Sequence, residues 1–175
     1  MGRIKKQKSV KLIIGFIFKE EGVFNKARAL LERLFGKIDF ESQTLAFKHT
    51  DYYDPEFGKN LKRKFISFKK LALPQSLPKI KISANRIEAR LSRGVSRLIN
   101  IDPGYLGLSK LILASTKDYK HRIYLNNGIY AEVTLFYQKK SFRFWEWTYP
   151  DYKTSEYIAI FNQIREIYAQ QIKNK

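Results

Sequence analysis

Arg122 and Glu132 stand on either side of Asn126-Asn127-Gly128, each two residues from a tyrosine, Tyr124 and Tyr130, with Lys117, Asp118 and His121 just upstream. An Arg opposed to a Glu between aromatic rings perturbs the titration of both groups where water is excluded. An imidazole titrates near neutrality, so His121 fits a general base, and Glu132 fits the same proton-transfer task. Lys110, Lys117 and Arg122 are then the anion-binding groups. The alternative for the Arg–Glu pair is a structural ion pair on a half-solvated sheet, which adds little stability.

A second chemistry lies in residues 56–97, where twelve cations, among them Lys62, Arg63, Arg86, Arg90, Arg93 and Arg97, face only Glu56 and Glu88. More than half of the net charge of +18 sits in that stretch. Such clustering suits phosphate backbones, whose counterions are released when Lys and Arg replace them. A solvated Lys-rich surface of the heat-adapted kind, or attraction to anionic lipid, is the competing explanation. Aromatics alternate through Phe142, Phe144, Trp145, Trp147 and Tyr149, and on an exposed strand Trp145, Trp147 and Tyr149 share a face that can stack bases. Asp51, Asp54 and Glu56 with His49 offer ligands to a hard cation, but their spacing matches no metal loop, and an Asp54-Pro55 turn explains them as well. No metal or other cofactor is expected. Gly104 to Lys110 lacks the spacing of a phosphate-cradling loop, and Lys117-Asp118 lacks the intervening residue of a guanine-reading Lys-x-Asp.

The elements that position these groups can be read from pattern. With 175 residues, 44% hydrophobic and 15% aromatic, the chain supports one folded domain and not a disordered one. It has no Cys, which excludes disulfides, thiolate metal sites and cysteine catalysis. Its longest apolar run, 12–18, is too short to span a bilayer, and a cytoplasmic protein is expected. Residues 1–9 form a basic tail. A buried strand covers 11–18, a helix carries Val23 to Phe35 and stops at Gly36, and strand texture follows over 38–47. Residues 49–58 read as a loop around Pro55. Leu61, Phe65, Phe68 and Ala72 recur at helical spacing, so a second helix is expected there. A third, capped by Ser83, carries Ala84, Ile87 and Leu91 and ends at Gly94. Residues 97–149 are mostly strand, and a closing helix carries Tyr157, Phe161, Ile164 and Tyr168.

Asn126-Asn127-Gly128 closes a hairpin either as a two-residue Asn-Gly turn or as a three-residue loop. The three-residue loop matches Leu125 with Ile129, Tyr124 with Tyr130, Ile123 with Ala131 and Arg122 with Glu132, and is the register expected. Arg122, Tyr124, Tyr130, Glu132 and Thr134 then share a polar face, and Ile123, Leu125, Ile129, Ala131, Val133 and Leu135 a core face.

Several segments resemble a known family. Asp51-Tyr52-Tyr53 with Gly58, Asn100 to Leu106, Lys110 to Asp118, His121 to Leu125, Gly128 to Leu135 and Trp147 to Tyr152 are similar to a prokaryotic family termed domain of unknown function 4416. Members carry the label GTP-binding protein, so the resemblance implies nucleotide binding. It also singles out Asp102, Tyr105, Lys110, Lys117, His121, Arg122, Tyr130, Glu132, Trp147, Tyr149 and Asp151.

The expected fold is a single α+β domain over 1–175, mainly an antiparallel meander with helices packed on one face. The leading functional expectation is a module that binds RNA through residues 59–97 and the aromatic sheet. The alternative is an enzyme binding a nucleotide or other phosphorylated small molecule at the 117–134 hairpin face. A third is a partner-binding protein with the aromatic strand as its interface.

Overall fold

The computed structural model describes residues 2–4, 7–48, 50 and 52–173. Lys5 and Lys6 of the basic tail lie outside the described residues. Among those described, nine strands form one antiparallel sheet in the order β2-β4-β1-β5-β6-β8-β7, with β3 added to β4 and β9 to β8. The strands are β1 Lys11–Phe18, β2 Ile38–Glu41, β3 Leu45–Phe47, β4 Leu61–Phe68, β5 Ile99–Leu106, β6 Lys110–Ser115, β7 Arg122–Asn126, β8 Ile129–Gln138 and β9 Ser141–Phe144. The helices are α1 Glu21–Phe35, α2 Asp54–Phe57, α3 Leu77–Arg90 and α4 Ser155–Lys173.

The unbroken apolar run of β1 follows from its place between β4 and β5, where both its faces are covered. Leu12, Ile14, Phe16 and Phe18 pack against Phe24, Ala27 and Leu31 of α1 and Ile80, Ala84 and Ile87 of α3. Ile13 points the other way, into a core shared with Phe65, Leu111, Leu113 and the Tyr157, Phe161, Ile164, Tyr168 stripe of α4. The fold is thus the expected α+β domain with an antiparallel C-terminal half. The layer expected on one face is α1 and α3, and α4 adds a cover on the other. No helix among the described residues is long and apolar enough to cross a membrane.

Residues 61–68 are not the helix their spacing suggests but strand β4, paired with β1 through Gly15↔Phe65 and Ile17↔Arg63. Leu61, Arg63, Phe65 and Ser67 face one side, so the alternation is present but hidden by a buried arginine. α3 begins at Leu77 rather than near Ser83, because a proline in the first turn, Pro78, lacks only an amide the helix does not need there. It ends at Arg90, before Gly94, and Ser83 bonds back to the Lys79 carbonyl from mid-helix. Pro55 likewise starts a helix, the single turn α2, within the expected loop.

The hairpin closes on the two residues Asn127 and Gly128, both at positive φ, as a primed turn requires. Asn126 therefore faces Ile129, which replaces the expected Leu125–Ile129 pair. A bulge at Leu125 then restores Tyr124↔Tyr130, Ile123↔Ala131 and Arg122↔Glu132. The expected core face is reversed on β7. Ile123 and Leu125 are exposed, while Arg122, Glu132 and Thr134 are buried.

Candidate functional site

A cleft opens where β5 and β6 part. β5 pairs with β1 along its whole length but with β6 only at Gly104–Leu106. At Gly104 the strands touch so closely that an added Cβ would lie 2.3 Å from the Ile112 carbonyl oxygen. One residue earlier Pro103 has no N–H to offer a neighbouring strand. Beyond it the free edge of β5 is taken by α3: Glu88 accepts the Ile101 N–H and Lys81 donates to the Ile101 carbonyl at 2.9 Å. The gap so left forms a cavity of about 690 Å³.

Sheet register explains which side chains reach it. Ile17↔Arg63, Ile17↔Asn100 and Gly15↔Asp102 put Arg63, Asn100 and Asp102 on one face, the α4 face. Gly104↔Leu113, Leu113↔Glu132 and Glu132↔Arg122 bring the hairpin pair to that same face. α4 stops short of this end, and the cleft is covered instead by Tyr149 to Tyr152 and by Tyr52 and Tyr53.

At one end, the Arg122 and Glu132 side chains are both 2% exposed and joined through Nε and Oε2 at 2.9 Å. Arg122 Nη1 donates to Ser115 Oγ (2.7 Å) and the Lys117 carbonyl (3.0 Å), and Nη2 to the Tyr149 hydroxyl (2.6 Å). Glu132 is also held by His121 Nε2 at 3.2 Å and Thr134 Oγ1 at 3.3 Å. Lys117 Nζ donates to the Tyr52 hydroxyl at 3.2 Å, which raises its pKa, and lies 4.5 Å from that ring's centre. Burial raises the Tyr149 pKa, with Arg122 pulling against it.

At the other end Arg63, 1% exposed, donates to the Tyr152 hydroxyl at 2.7 Å and lies 3.8 Å from both Asp102 and Asp151. Burial opposes its charge, but the oxygens of Tyr152, Asp151, Tyr157 and Asp102 raise its pKa. Its guanidinium sits over Phe65 and Tyr152, and its Nε has no hydrogen-bond partner among the described residues. Gly15 makes room, since a Cβ there would meet Phe65 at 3.0 Å and Arg63 Nη2 at 3.2 Å. Asp102 takes Asn100 Nδ2 at 2.6 Å and Lys81 Nζ at 3.4 Å. Arg97 binds Glu56 through its backbone N–H and two guanidinium nitrogens and holds its carboxyl below the usual range. Burial raises the Glu88 carboxyl despite Lys81 nearby.

Of the residues expected to act, the cleft gathers Arg63, Arg97, Asp102, Lys117, Arg122, Glu132 and Tyr149. His121 lies behind Glu132. Trp147 stacks on His121 (5.7 Å, 16°) and on Trp145 (5.2 Å, 9°), because the strand ends at Phe144 and the chain turns. The expected shared face of Trp145, Trp147 and Tyr149 is therefore not formed: the indoles cover each other and Tyr149 turns into the cleft. Tyr124, exposed, and Tyr130 meet edge to face at 5.3 Å away from the cavity lining. Lys110 is exposed at the start of β6, at the opposite end from Ser115, so it does not join Lys117 and Arg122. Tyr105 is half-buried in the core beneath α3.

The basic stretch does not act as one patch. Arg63, Lys81 and Arg97 enter the cleft, Lys62 pairs with Glu21 at 3.1 Å, and Arg86, Arg90 and Arg93 stand exposed. His49 and Asp51 of the candidate metal group lie outside the described residues, and its Glu56 is bound to Arg97. No three His, Asp or Glu side chains among those described converge on one point. Tyr53, Lys81, Asn85, Glu88, Asn100 and Ser115 also line the cleft and were not singled out as site residues. Tyr53, Asn100 and Ser115 lie in the segments that carry the family resemblance, and Asn100 had a further signal: with Asp102 it places two polar residues on one face of an otherwise apolar strand.

No curated protein matches the chain, and no solved structure does. The model of one family, described as Domain of unknown function (DUF4416), matches residues 8–168. That span holds every strand, the cleft and all the groups that line it, and the chain belongs to this family.

Proposed function

We propose that the cleft binds a phosphorylated small molecule, with its phosphate at the corner made by Ser115, Lys117 and Arg122. The observation that carries this reading is the supply of unused donors there. A guanidinium has five N–H groups; four of Arg122's are accounted for by Glu132, Ser115, Lys117 and Tyr149, which leaves one on Nη2. Lys117 uses one of its three on Tyr52. The pair is positive by one charge after Glu132 is counted, and a cavity of about 690 Å³ is of the size that takes small ligands. The His121–Glu132 contact supports proton transfer at this same corner, the enzymatic form of the reading.

Calorimetry at low salt with a nucleoside 5′-monophosphate and with its nucleoside tests it. Binding of the phosphorylated compound alone, weakened about tenfold by Lys117→Ala, is the expected result. Equal affinity for the nucleoside, or no heat from phosphorylated ligands at millimolar concentration, overturns it.

One observation favours a second reading, RNA binding. Arg86, Arg90 and Arg93 are exposed on α3 and the turn after it, with no acidic partner among the described residues. An RNA affinity that falls steeply with salt and drops in the triple Ala variant supports it; no binding at low salt removes it.

A further inference from the structure

Resting on that reading, we infer that the Arg63 end of the cleft is a hydroxyl subsite, so that the ligand is a phosphorylated polyol. Asp102 and Asp151 straddle Arg63, each 3.8 Å from one of its terminal nitrogens. Asp102 accepts from Asn100 and Lys81, which uses two of about four lone-pair positions on the carboxylate. Its side chain keeps 28% exposure, and it lines the cleft. Beside it Lys81 donates to the Ile101 carbonyl and to Asp102, which leaves one of its three N–H groups without a partner among the described residues at the cleft lining.

This mixture of open acceptors with an unused donor selects one kind of group. A second phosphate is mostly dianionic at neutral pH, so it has little to donate to Asp102 and finds no net positive charge. An ammonium group cannot accept from Lys81 Nζ. It also finds no net negative charge, since Arg63 and Lys81 already balance Asp102 and Asp151. A hydroxyl does both: it donates to the Asp102 carboxylate and accepts from the remaining Lys81 N–H at no cost in charge. The rings of Phe47, Tyr53 and Tyr152 line the same end and suit the C–H faces of a sugar. A phosphorylated sugar and the ribose phosphate of a nucleotide both present this chemistry.

The test titrates the full-length protein with inorganic phosphate, ribose 5-phosphate, 2-deoxyribose 5-phosphate and ribo- and deoxyribonucleoside 5′-monophosphates. The expected result is that at least one hydroxylated ligand binds about tenfold or more tightly than both inorganic phosphate and its own deoxy form. A preference for the nucleotide over ribose 5-phosphate identifies a nucleotide as the source, and the reverse identifies a free sugar phosphate. Asp102→Asn should abolish the preference of the hydroxylated ligands over their deoxy forms. Should that variant fail to fold, the ligand series on the native chain decides. Phosphate binding with no preference for hydroxyls overturns the subsite and leaves the phosphate corner standing. Absence of binding by every phosphorylated ligand overturns both.

Discussion

Replacing Arg122 by Met keeps the unbranched aliphatic stem and removes the guanidinium charge from a site where both partners are 2% exposed. Glu132, 2% exposed, would retain only His121 and Thr134, while Ser115 Oγ, the Lys117 carbonyl and the Tyr149 hydroxyl would lose their donor. Breaking a buried pair from one side typically costs about 3–5 kcal/mol, because the surviving charge stays desolvated. In a chain of this size each kcal/mol moves Tm by roughly 2–4 °C, so a fall of roughly 6–20 °C is expected. Glu132→Gln should cost less, since the amide oxygen still accepts from Arg122 Nε. In the double variant no lone charge remains, so its loss should fall short of the sum of the single losses by about 2 kcal/mol or more. Urea unfolding of the four proteins with unchanged slopes measures that coupling directly. Additivity within about 0.5 kcal/mol would refute the reasoning, for it would mean that solvent already screens the pair.

Three further outcomes test other parts of the structure. Gly104→Ala should be strongly destabilising, or unfold the chain, because a Cβ 2.3 Å from the Ile112 carbonyl oxygen forces β5 and β6 apart where the sheet is zipped; a melt within a few degrees of the native protein contradicts that contact. Ile123→Lys should change stability by no more than about 0.5 kcal/mol, since this residue is exposed, and a loss near 2 kcal/mol would mean that the outer face of β7 is covered in solution. The Arg97 hydrogen bond lowers the folded-state pKa of Glu56 below its unfolded value, so its stabilisation is present above the ordinary carboxylate range and is lost as pH falls through the folded value. The stability gap between the native protein and Glu56→Gln should therefore be widest near pH 7 and close in acid; a gap constant with pH would exclude this linkage.

Where residues meet one consistent environment, their pattern was readable. β1 is apolar from Leu12 to Phe18 because it is covered on both faces, and α1 and α4 show helical stripes because each packs one side against the sheet. The strand register of the hairpin followed from matching Arg122 with Glu132 and Tyr124 with Tyr130. Its turn length did not, since the bulge at Leu125 makes a two-residue turn compatible with the pairing expected of a three-residue loop. The helix expected over 61–72 failed because Arg63 hides the strand alternation of 61–65, and beyond it Ile66 and Phe68 are buried in the core opposite to that of Phe65.

That failure and the reversed face of β7 share a physical cause. Binary pattern assigns a charged residue to solvent, because an isolated buried ion is costly. The assignment holds only when no other part of the fold offers counter-charges. Arg63 has Asp102 and Asp151, contributed by β5 and by the segment before α4; Arg122 has Glu132 from the next strand and Tyr149 from beyond β9. Except for Glu132, which the hairpin itself sets opposite Arg122, these partners come from strands and loops far apart in sequence, so no local window contains them. Both arginines are buried at the place where β5 and β6 separate, and there the sheet exchanges hydrophobic contact for a polar cavity. Consistency between pattern and burial breaks down at this cleft in particular, which is where a site that must hold charged groups away from water is expected to break it.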